Sequence, residues 1–157
     1  MVILLDIDGV MVPAKSWKKP EFLNDGFPAF SAIATISLNK ILTRTNADIL
    51  LTTSHKSNYN LEIWQKMFAN REINVGNIYA LVENTNHLSR KEEIMNWVNS
   101  SSILKDFIII DDDKTLNSLP EFVKSRLIQT NATIGLTNEL ADFALEIIQK
   151  EKTHLHS

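Results

Sequence analysis

The amino-acid sequence predicts an α/β fold in which a five-stranded parallel sheet lies between layers of helices. Short, continuous apolar runs alternate along the chain with segments whose apolar residues recur at helical spacing. This alternation is typical of parallel strands joined by crossover helices. The chain has 157 residues, of which 44% are hydrophobic. That size and composition suit one domain with a substantial core.

The predicted strands are apolar runs of the kind that a sheet buried on both faces requires. The first run ends at Asp6, and the most apolar run precedes three consecutive aspartates. We predict strands over residues 2–5, 49–51, 77–82, 107–110 and 127–129.

The predicted helices have their apolar side chains on one face. We expect them over residues 29–44, around 61–68, after residue 89 and after residue 137. Ser89 and Glu92 have the spacing of a capping box, and Thr137 can cap the last helix. The loop 9–28 holds two of the four glycines and three of the four prolines. We expect one domain over residues 1–150 and a frayed polar tail over residues 151–157.

Charge and composition exclude several classes of protein. The net charge of −3 provides no overall attraction to nucleic acid or to an anionic membrane. The absence of cysteine excludes disulfides, thiolate metal sites and a cysteine nucleophile. The glycines form neither a GxGxxG nor a Walker loop. No signal peptide or membrane span can be identified, so we expect a cytoplasmic protein without membrane association.

Polar residues suited to catalysis follow three of the predicted strands, and a lysine lies in the first turn of the helix after another. Ligands of open α/β sheets bind at the carboxyl ends of the strands, where these residues would meet. The sequence therefore predicts one site built from four segments. Its residues are Asp6 and Asp8, then Thr52, Thr53 and Ser54, then Lys91, and finally Asp111, Asp112 and Asp113.

The first pair of carboxylates favours a Mg²⁺ site. Asp6 and Asp8 are two residues apart in extended chain, so their side chains share one side with Cα atoms about 6.6 Å apart. Gly9 then allows a sharp turn. Carboxylate and carbonyl oxygens are the ligands that Mg²⁺ prefers, whereas softer metals favour the cysteine and clustered histidine that this chain lacks.

The same residues could carry out phosphoryl transfer. An aspartate can attack phosphorus, and a second carboxyl can protonate the leaving oxygen. Lys91 could neutralise the phosphoryl charge, and the hydroxyls of Thr53 and Ser54 could donate hydrogen bonds to it. The residues also have purely structural interpretations, because aspartate, serine and threonine are common in turns and helix caps.

The strand-end residues resemble, in order, the four motifs of the haloacid dehalogenase (HAD) superfamily. Residues 6–10 (DIDGV) resemble the first motif and residues 50–54 (LLTTS) the second. Lys91 is similar to the third and residues 110–112 (IDD) to the fourth. The resemblance spans nearly the whole chain and implies a three-layer, HAD-like Rossmannoid fold.

The resemblance implies a catalytic role for four carboxylates. Asp6 would be the nucleophile and a Mg²⁺ ligand. Asp8 would be the general acid and base, with its backbone carbonyl on the metal. Asp111 would complete the metal site, and Asp112 would bind the metal directly or through water. The implied activity is a Mg²⁺-dependent phosphomonoesterase that acts through an aspartyl-phosphate.

The resemblance also implies how substrate is held. Thr53 would bind the phosphoryl group, with Thr52 as the alternative in register, and Lys91 would stabilise the nucleophile and the phosphoryl. A narrower similarity is to HAD domains of Swiss-Army-knife RNA-repair proteins, although His55 and Lys56 stand where that subfamily usually has tryptophan and arginine.

The spacing leaves little room for a substrate-selecting cap domain. Only 44 residues separate Asp8 from Thr53, and 37 separate Thr53 from Lys91. We therefore expect no cap beyond the loop 11–28 and a site open to a small phosphorylated molecule or a nucleic-acid end. The segment Lys15–Lys19 could contact a phosphate backbone and stack a base, or serve only as a solubilising loop. The oligomeric state stays open.

Two other functions are compatible with these residues. A non-catalytic module could use the same site to hold Mg²⁺ and phosphate within a larger complex. A receiver-type signalling domain is disfavoured, because its phospho-acceptor aspartate would follow the third strand, where this chain has Val82, Glu83 and Asn84.

Overall fold

The chain folds around one sheet of five parallel strands, as the sequence predicted. A computed structural model describes residues 1–14, 19–100 and 106–155, with side chains as far as residue 151. The strand order is β3-β2-β1-β4-β5, and the described residues form no cap domain. The strands are β1 (Val2–Leu5), β2 (Asp48–Leu51), β3 (Ile78–Ala80), β4 (Phe107–Asp111) and β5 (Leu127–Gln129).

The helices cover both faces of the sheet. They are α1 (Ala32–Thr45), α2 (Leu61–Asn70), α3 (Arg90–Ser100), α4 (Glu121–Lys124) and α5 (Asn138–Leu155), with short 3₁₀ helices at Ser54–Ser57 and Lys114–Ser118. Because side chains alternate along a strand, Ile3 and Leu5 pack with residues of α1, α2 and α5, whereas Leu4 packs with residues of α3 and α4. Three layers result.

Helix ends follow from hydrogen bonds of capping side chains. Ser31 Oγ accepts the Ala34 N–H at 3.0 Å, so α1 begins three residues later than the apolar pattern alone predicts. The capping box of α3 is confirmed, because the Glu92 N–H donates to Ser89 Oγ at 3.1 Å and the Ser89 N–H to Glu92 Oε1 at 3.3 Å. These caps satisfy amides that have no partner inside the helix.

Strand β3 is shorter than the predicted 77–82, and two helices also differ from the sequence prediction. Helix α4 was not expected, since four residues after Pro120 are too few for a periodic pattern. Helix α5 continues to Leu155, whereas a frayed tail was expected from residue 151. Glu151 accepts a hydrogen bond from Arg126 at 3.1 Å, which ties the end of α5 to the start of β5. Residues 156–157 lie outside the described part.

Arg71, at the end of α2, clamps the loop that precedes α1. Its guanidinium donates to both oxygens of Asp25, at 2.6 and 3.0 Å. It also donates to backbone carbonyls of Phe27, Pro28 and Met67. The hydrogen bonds from Arg71 lower the pKa of Asp25 to about 2. A fully paired, buried arginine therefore fixes the described end of this long loop.

No helix in the described ranges combines the length and the apolar character needed to cross a membrane. Of the segment Lys15–Lys19, only Lys19 belongs to the described residues. The contacts expected from this segment therefore lie outside the structure described here.

Candidate active site

Three of the expected site residues form one row across adjacent strands. Leu5 of β1 is in register with Leu51 of β2 and with Ile110 of β4. The residues that follow these three in the chain are Asp6, Thr52 and Asp111, respectively. Ladder hydrogen bonds continue through this row, because the Asp6 N–H donates to Ile110 O and the Thr52 N–H to Leu5 O. Strand register thus brings these side chains together.

The row lies on the face of the sheet that α3 covers. Asp6, Thr52 and Asp111 have the same parity as Leu4, Leu50 and Ile109, which pack with Ile94 of α3. Asp6 and Asp111 are buried, with exposed fractions of 6% and 0%. Buried carboxylates require a compensating charge or hydrogen bonds.

Arg90, the first residue of α3, supplies part of that compensation. Its Nη1 lies 2.6 Å from Asp111 Oδ2 and 3.5 Å from Asp6 Oδ1, and it donates to Thr52 Oγ1 at 3.3 Å. Within the described residues, Arg90 Nε is buried without a hydrogen-bond partner, and the nearest acceptor oxygen recorded for it is Glu93 Oε1 at 3.8 Å. One guanidinium therefore serves several carboxylates.

Asp112 completes a cluster of three carboxylates. One oxygen from each of Asp6, Asp111 and Asp112 lies within 4.8 Å of the other two. Asp112 packs over Gly9, whose φ is +81°, and a Cβ at Gly9 would lie 2.3 Å from Asp112 Oδ2. Glycine is required here both by the left-handed backbone and by the approach of this carboxyl.

The carboxyl groups of the cluster would carry more negative charge, if all were ionised, than Arg90 can neutralise. Burial, and then the neighbouring carboxylate of Asp111, raise the pKa of Asp6 to about 8, although Arg90 opposes the change. Burial likewise raises the pKa of Asp111. For Arg90 burial acts to lower the pKa, but the carboxylates of Asp111 and Asp6 outweigh it and raise the pKa overall. Without a further cation, a proton is retained among the carboxyls.

Asp8 lies apart from the buried cluster. Its side chain is 57% exposed, and the cluster of ligand oxygens does not include it. Its one hydrogen-bonded side-chain partner in the described chain is His55, whose Nε2 lies 2.8 Å from Asp8 Oδ2. The two aspartates of the DxD segment thus have different environments, one buried among carboxylates and one in solvent.

The remaining expected residues surround this edge of the sheet. Thr53 is buried, and its Oγ1 accepts the His55 N–H at 3.3 Å. Ser54 is exposed at the start of the 3₁₀ helix. Lys91 is half-buried, and its ammonium forms no ion pair with any described carboxylate. The structure therefore brings Arg90, not Lys91, into contact with the acidic cluster.

Sequence analysis missed Arg90 and the ion pair beneath it. Lys56 is buried, with its Nζ 3.0 Å from Glu93 Oε2, and Glu93 also faces Arg90. The Ser89 cap fixes Arg90 as the first residue of the helix, so the capping box already pointed to this turn. The sequence analysis named only Lys91, and no sequence pattern shows which residue of this turn faces the carboxylates.

Fold and site together define a doubly wound α/β domain with carboxylates gathered at the ends of β1 and β4. The chain belongs to the HAD superfamily, and the family model described as "HAD domain in Swiss Army Knife RNA repair proteins" matches residues 2–141. No curated protein and no solved structure matches it. The resemblance found in the sequence is thereby confirmed, and membership indicates chemistry of the phosphohydrolase type.

Proposed function

We propose that this protein is a Mg²⁺-dependent phosphomonoesterase that acts through an aspartyl-phosphate on Asp6. The observation that carries the proposal is the cluster of Asp6, Asp111 and Asp112, whose oxygens lie within 4.8 Å of one another. Asp8 follows two residues later and is accessible to solvent. A nucleophile, a metal site and a separate acid are the parts that this reaction needs.

The residues present fit a magnesium ion. All three ligand atoms are carboxylate oxygens, the donors that this hard cation prefers. Burial, and then the carboxylate of Asp111, raise the pKa of Asp6 to about 8, so Asp6 retains a proton near neutral pH when no cation is bound. A divalent cation could replace that proton and offset the excess negative charge. When bound, Mg²⁺ would neutralise charge on the phosphoryl oxygens; Asp6, Asp111 and Asp112 would hold it.

The reaction assigns different work to the two aspartates. In the first step an oxygen of Asp6 bonds to phosphorus, the bond from phosphorus to the leaving oxygen breaks, and Asp8 gives that oxygen a proton. In the second step Asp8 takes a proton from water, and the water oxygen bonds to phosphorus. The bond between phosphorus and Asp6 then breaks, which releases inorganic phosphate.

The phosphoryl group would be held by hydroxyls and by a cation. Thr53 at the end of β2 is the proposed hydroxyl donor, with Thr52 as the alternative and Ser54 at the exposed rim. Arg90 contacts the nucleophile and is the proposed cation. Lys91, the cation that the sequence analysis named for this role, is the next residue of α3 and would add a second positive charge.

For the substrate, we propose a phosphorylated nucleic-acid end or nucleotide. Support comes from the family description, which refers to RNA repair, and from the lack of a cap in the described residues. An edge of the sheet without a cap can admit the end of a polymer that a closed pocket would exclude.

The test is phosphate release from p-nitrophenyl phosphate, mononucleotides and oligonucleotides phosphorylated at the 5′ or 3′ end. Each substrate is assayed with Mg²⁺, with EDTA, and with Asp6→Asn as the matched control. We expect Mg²⁺-dependent turnover that falls by about 10⁴-fold in Asp6→Asn. If folded protein that binds Mg²⁺ releases no phosphate from any substrate, the proposal is wrong and a binding module is favoured.

A further inference from the structure

Asp8 is contacted by a histidine that none of the HAD-like motifs includes. His55 Nε2 and Asp8 Oδ2 are 2.8 Å apart, although 47 positions separate the residues in the chain. The two side chains are 35% and 57% exposed. Contacts between exposed polar side chains contribute little to folding stability, and even exposed ion pairs contribute only about 0–1 kcal/mol. Stability therefore does not explain this contact.

The imidazole is held more firmly than the carboxyl that it meets. The ring of His55 packs edge-on against Phe27, with centroids 5.5 Å apart and planes at 89°. Phe27 is itself buried against Tyr59 and Trp64. The backbone N–H of His55 also donates to Thr53 Oγ1 at 3.3 Å. The aromatic cluster thus holds the ring, and the end of β2 holds the backbone that carries it.

The 3₁₀ helix that carries His55 is anchored at the next residue as well. The ammonium of Lys56 is buried against Glu93, and Lys56 O accepts the Trp64 Nε1–H at 3.4 Å. By contrast, the Asp8 side chain follows the end of β1 and stands mainly in solvent. A fixed imidazole beside an exposed carboxyl can select one orientation of that carboxyl.

We propose that His55 is a positioning residue, which holds the Asp8 carboxyl in the orientation from which it gives its proton to the leaving oxygen. This inference rests on the proposed function. General acid catalysis depends on the alignment between the acid and the atom that it protonates. An exposed aspartate without such a contact would divide its time among several rotamers.

The proposal predicts a dependence on the leaving group. When the bond between phosphorus and the leaving oxygen breaks, an alkoxide needs the proton from Asp8, whereas p-nitrophenolate leaves readily without it. Loss of the contact should therefore slow alkyl phosphomonoesters most. The ratio kcat/KM reports the steps up to departure of the leaving group, so it separates this step from later hydrolysis of the aspartyl-phosphate.

The test compares His55→Phe, which keeps a ring against Phe27, with His55→Gln, which keeps a hydrogen-bond donor. Tyr59→Phe is the matched control, since it changes the same aromatic cluster without a described contact to Asp8. The substrates are phosphomonoesters with leaving groups from p-nitrophenolate to simple alkoxides. We expect His55→Phe to lower kcat/KM by about 100-fold for alkyl substrates and by less than about threefold for p-nitrophenyl phosphate.

His55→Gln should recover most of the loss, Tyr59→Phe should lose none, and the melting temperatures should match. Equal losses across the series, or no loss in His55→Phe, would overturn the role of His55 and leave the proposed function intact. Absence of Mg²⁺-dependent turnover in the unmodified protein would instead overturn the proposed function, and this inference with it.

Discussion

Buried Arg71 and half-buried Arg90 both meet aspartates, and they do so in opposite ways. Arg71 has one carboxylate partner and backbone carbonyls that satisfy its other donors, and the pKa of Asp25 is lowered to about 2. Arg90 meets the carboxyls of both Asp6 and Asp111, its Nε has no hydrogen-bond partner in the described residues, and the pKa of Asp6 is raised to about 8.

The difference separates a structural clamp from the candidate active site. At Arg71 the charges balance and each donor is used, so the region gains stability from its polar groups. At Arg90 the negative charges outnumber the positive one, so part of the carboxylate charge has no counter-charge in the folded chain. Perturbed carboxyl groups that lack a balancing charge are typical of sites that bind a cation or a substrate.

Among the variants that test this comparison, the largest effect is expected from Arg90→Ala, which removes the cation beside the proposed nucleophile. We expect kcat/KM for phosphomonoesters to fall by about 100- to 1000-fold, the cost of losing one donor that stabilises charge in a transition state. Lys91→Ala is the comparison variant, because it tests the neighbouring residue that the sequence favoured. A larger loss in Lys91→Ala than in Arg90→Ala would assign the role to Lys91.

The next effect concerns the clamp and should leave the chemistry unchanged. Asp25→Asn leaves the buried guanidinium of Arg71 without its carboxylate, and we expect about 3 kcal/mol of destabilisation. Asp142→Asn is the control, since it breaks the more exposed ion pair with Lys40 and should cost less than about 1 kcal/mol. Urea unfolding measures both, and similar losses would show that the Asp25–Arg71 pair contributes no more to stability than an exposed ion pair.

Metal binding at the carboxylates beside Arg90 should stabilise the protein, whereas no metal is expected to bind at Arg71. At a Mg²⁺ concentration about 100 times its Kd, the free energy of unfolding should rise by about 2.7 kcal/mol. Asp111→Asn should remove this gain, whereas Asp25→Asn should retain it. Thermal unfolding with and without Mg²⁺ measures the change, and a gain that survives in Asp111→Asn would place the ion elsewhere.

The smallest effect is expected from pH, acting on the clamp. Folding lowers the pKa of Asp25 from 3.8 to about 2, so its contribution is complete above the higher value and is lost as pH falls through the lower one. The stability difference between the unmodified protein and Asp25→Asn should therefore narrow between these values. Urea titrations across this range test it; a constant difference would show that Arg71 does not set this pKa.

Much of the fold and of the site follows from local patterns. The apolar runs predicted the parallel sheet, and Ser89 with Glu92 predicted the start of α3. Asp6 and Asp111 could be placed together because parallel strands end at one edge. These predictions rest on periodicity and capping, which are encoded within a few residues of chain.

Other features depend on contacts between distant segments. No local pattern indicates that His55 reaches Asp8 or that Lys56 is buried against Glu93, because each pair joins loops or helices from different crossover units. The choice of Arg90 over Lys91 depends on which side of α3 faces the row of Asp6, Thr52 and Asp111. Such choices are made by tertiary packing, after each element has formed.

The ladder bonds through the row of Asp6, Thr52 and Asp111 also have a consequence for motion. The amides of Asp6 and Thr52 are bonded within the centre of the sheet, the part of a protein where hydrogen exchange usually requires global unfolding. Movements during a catalytic cycle would then be confined to segments outside this ladder. Asp6, the proposed nucleophile, would then keep its position throughout the cycle, because its backbone amide belongs to the centre of the sheet.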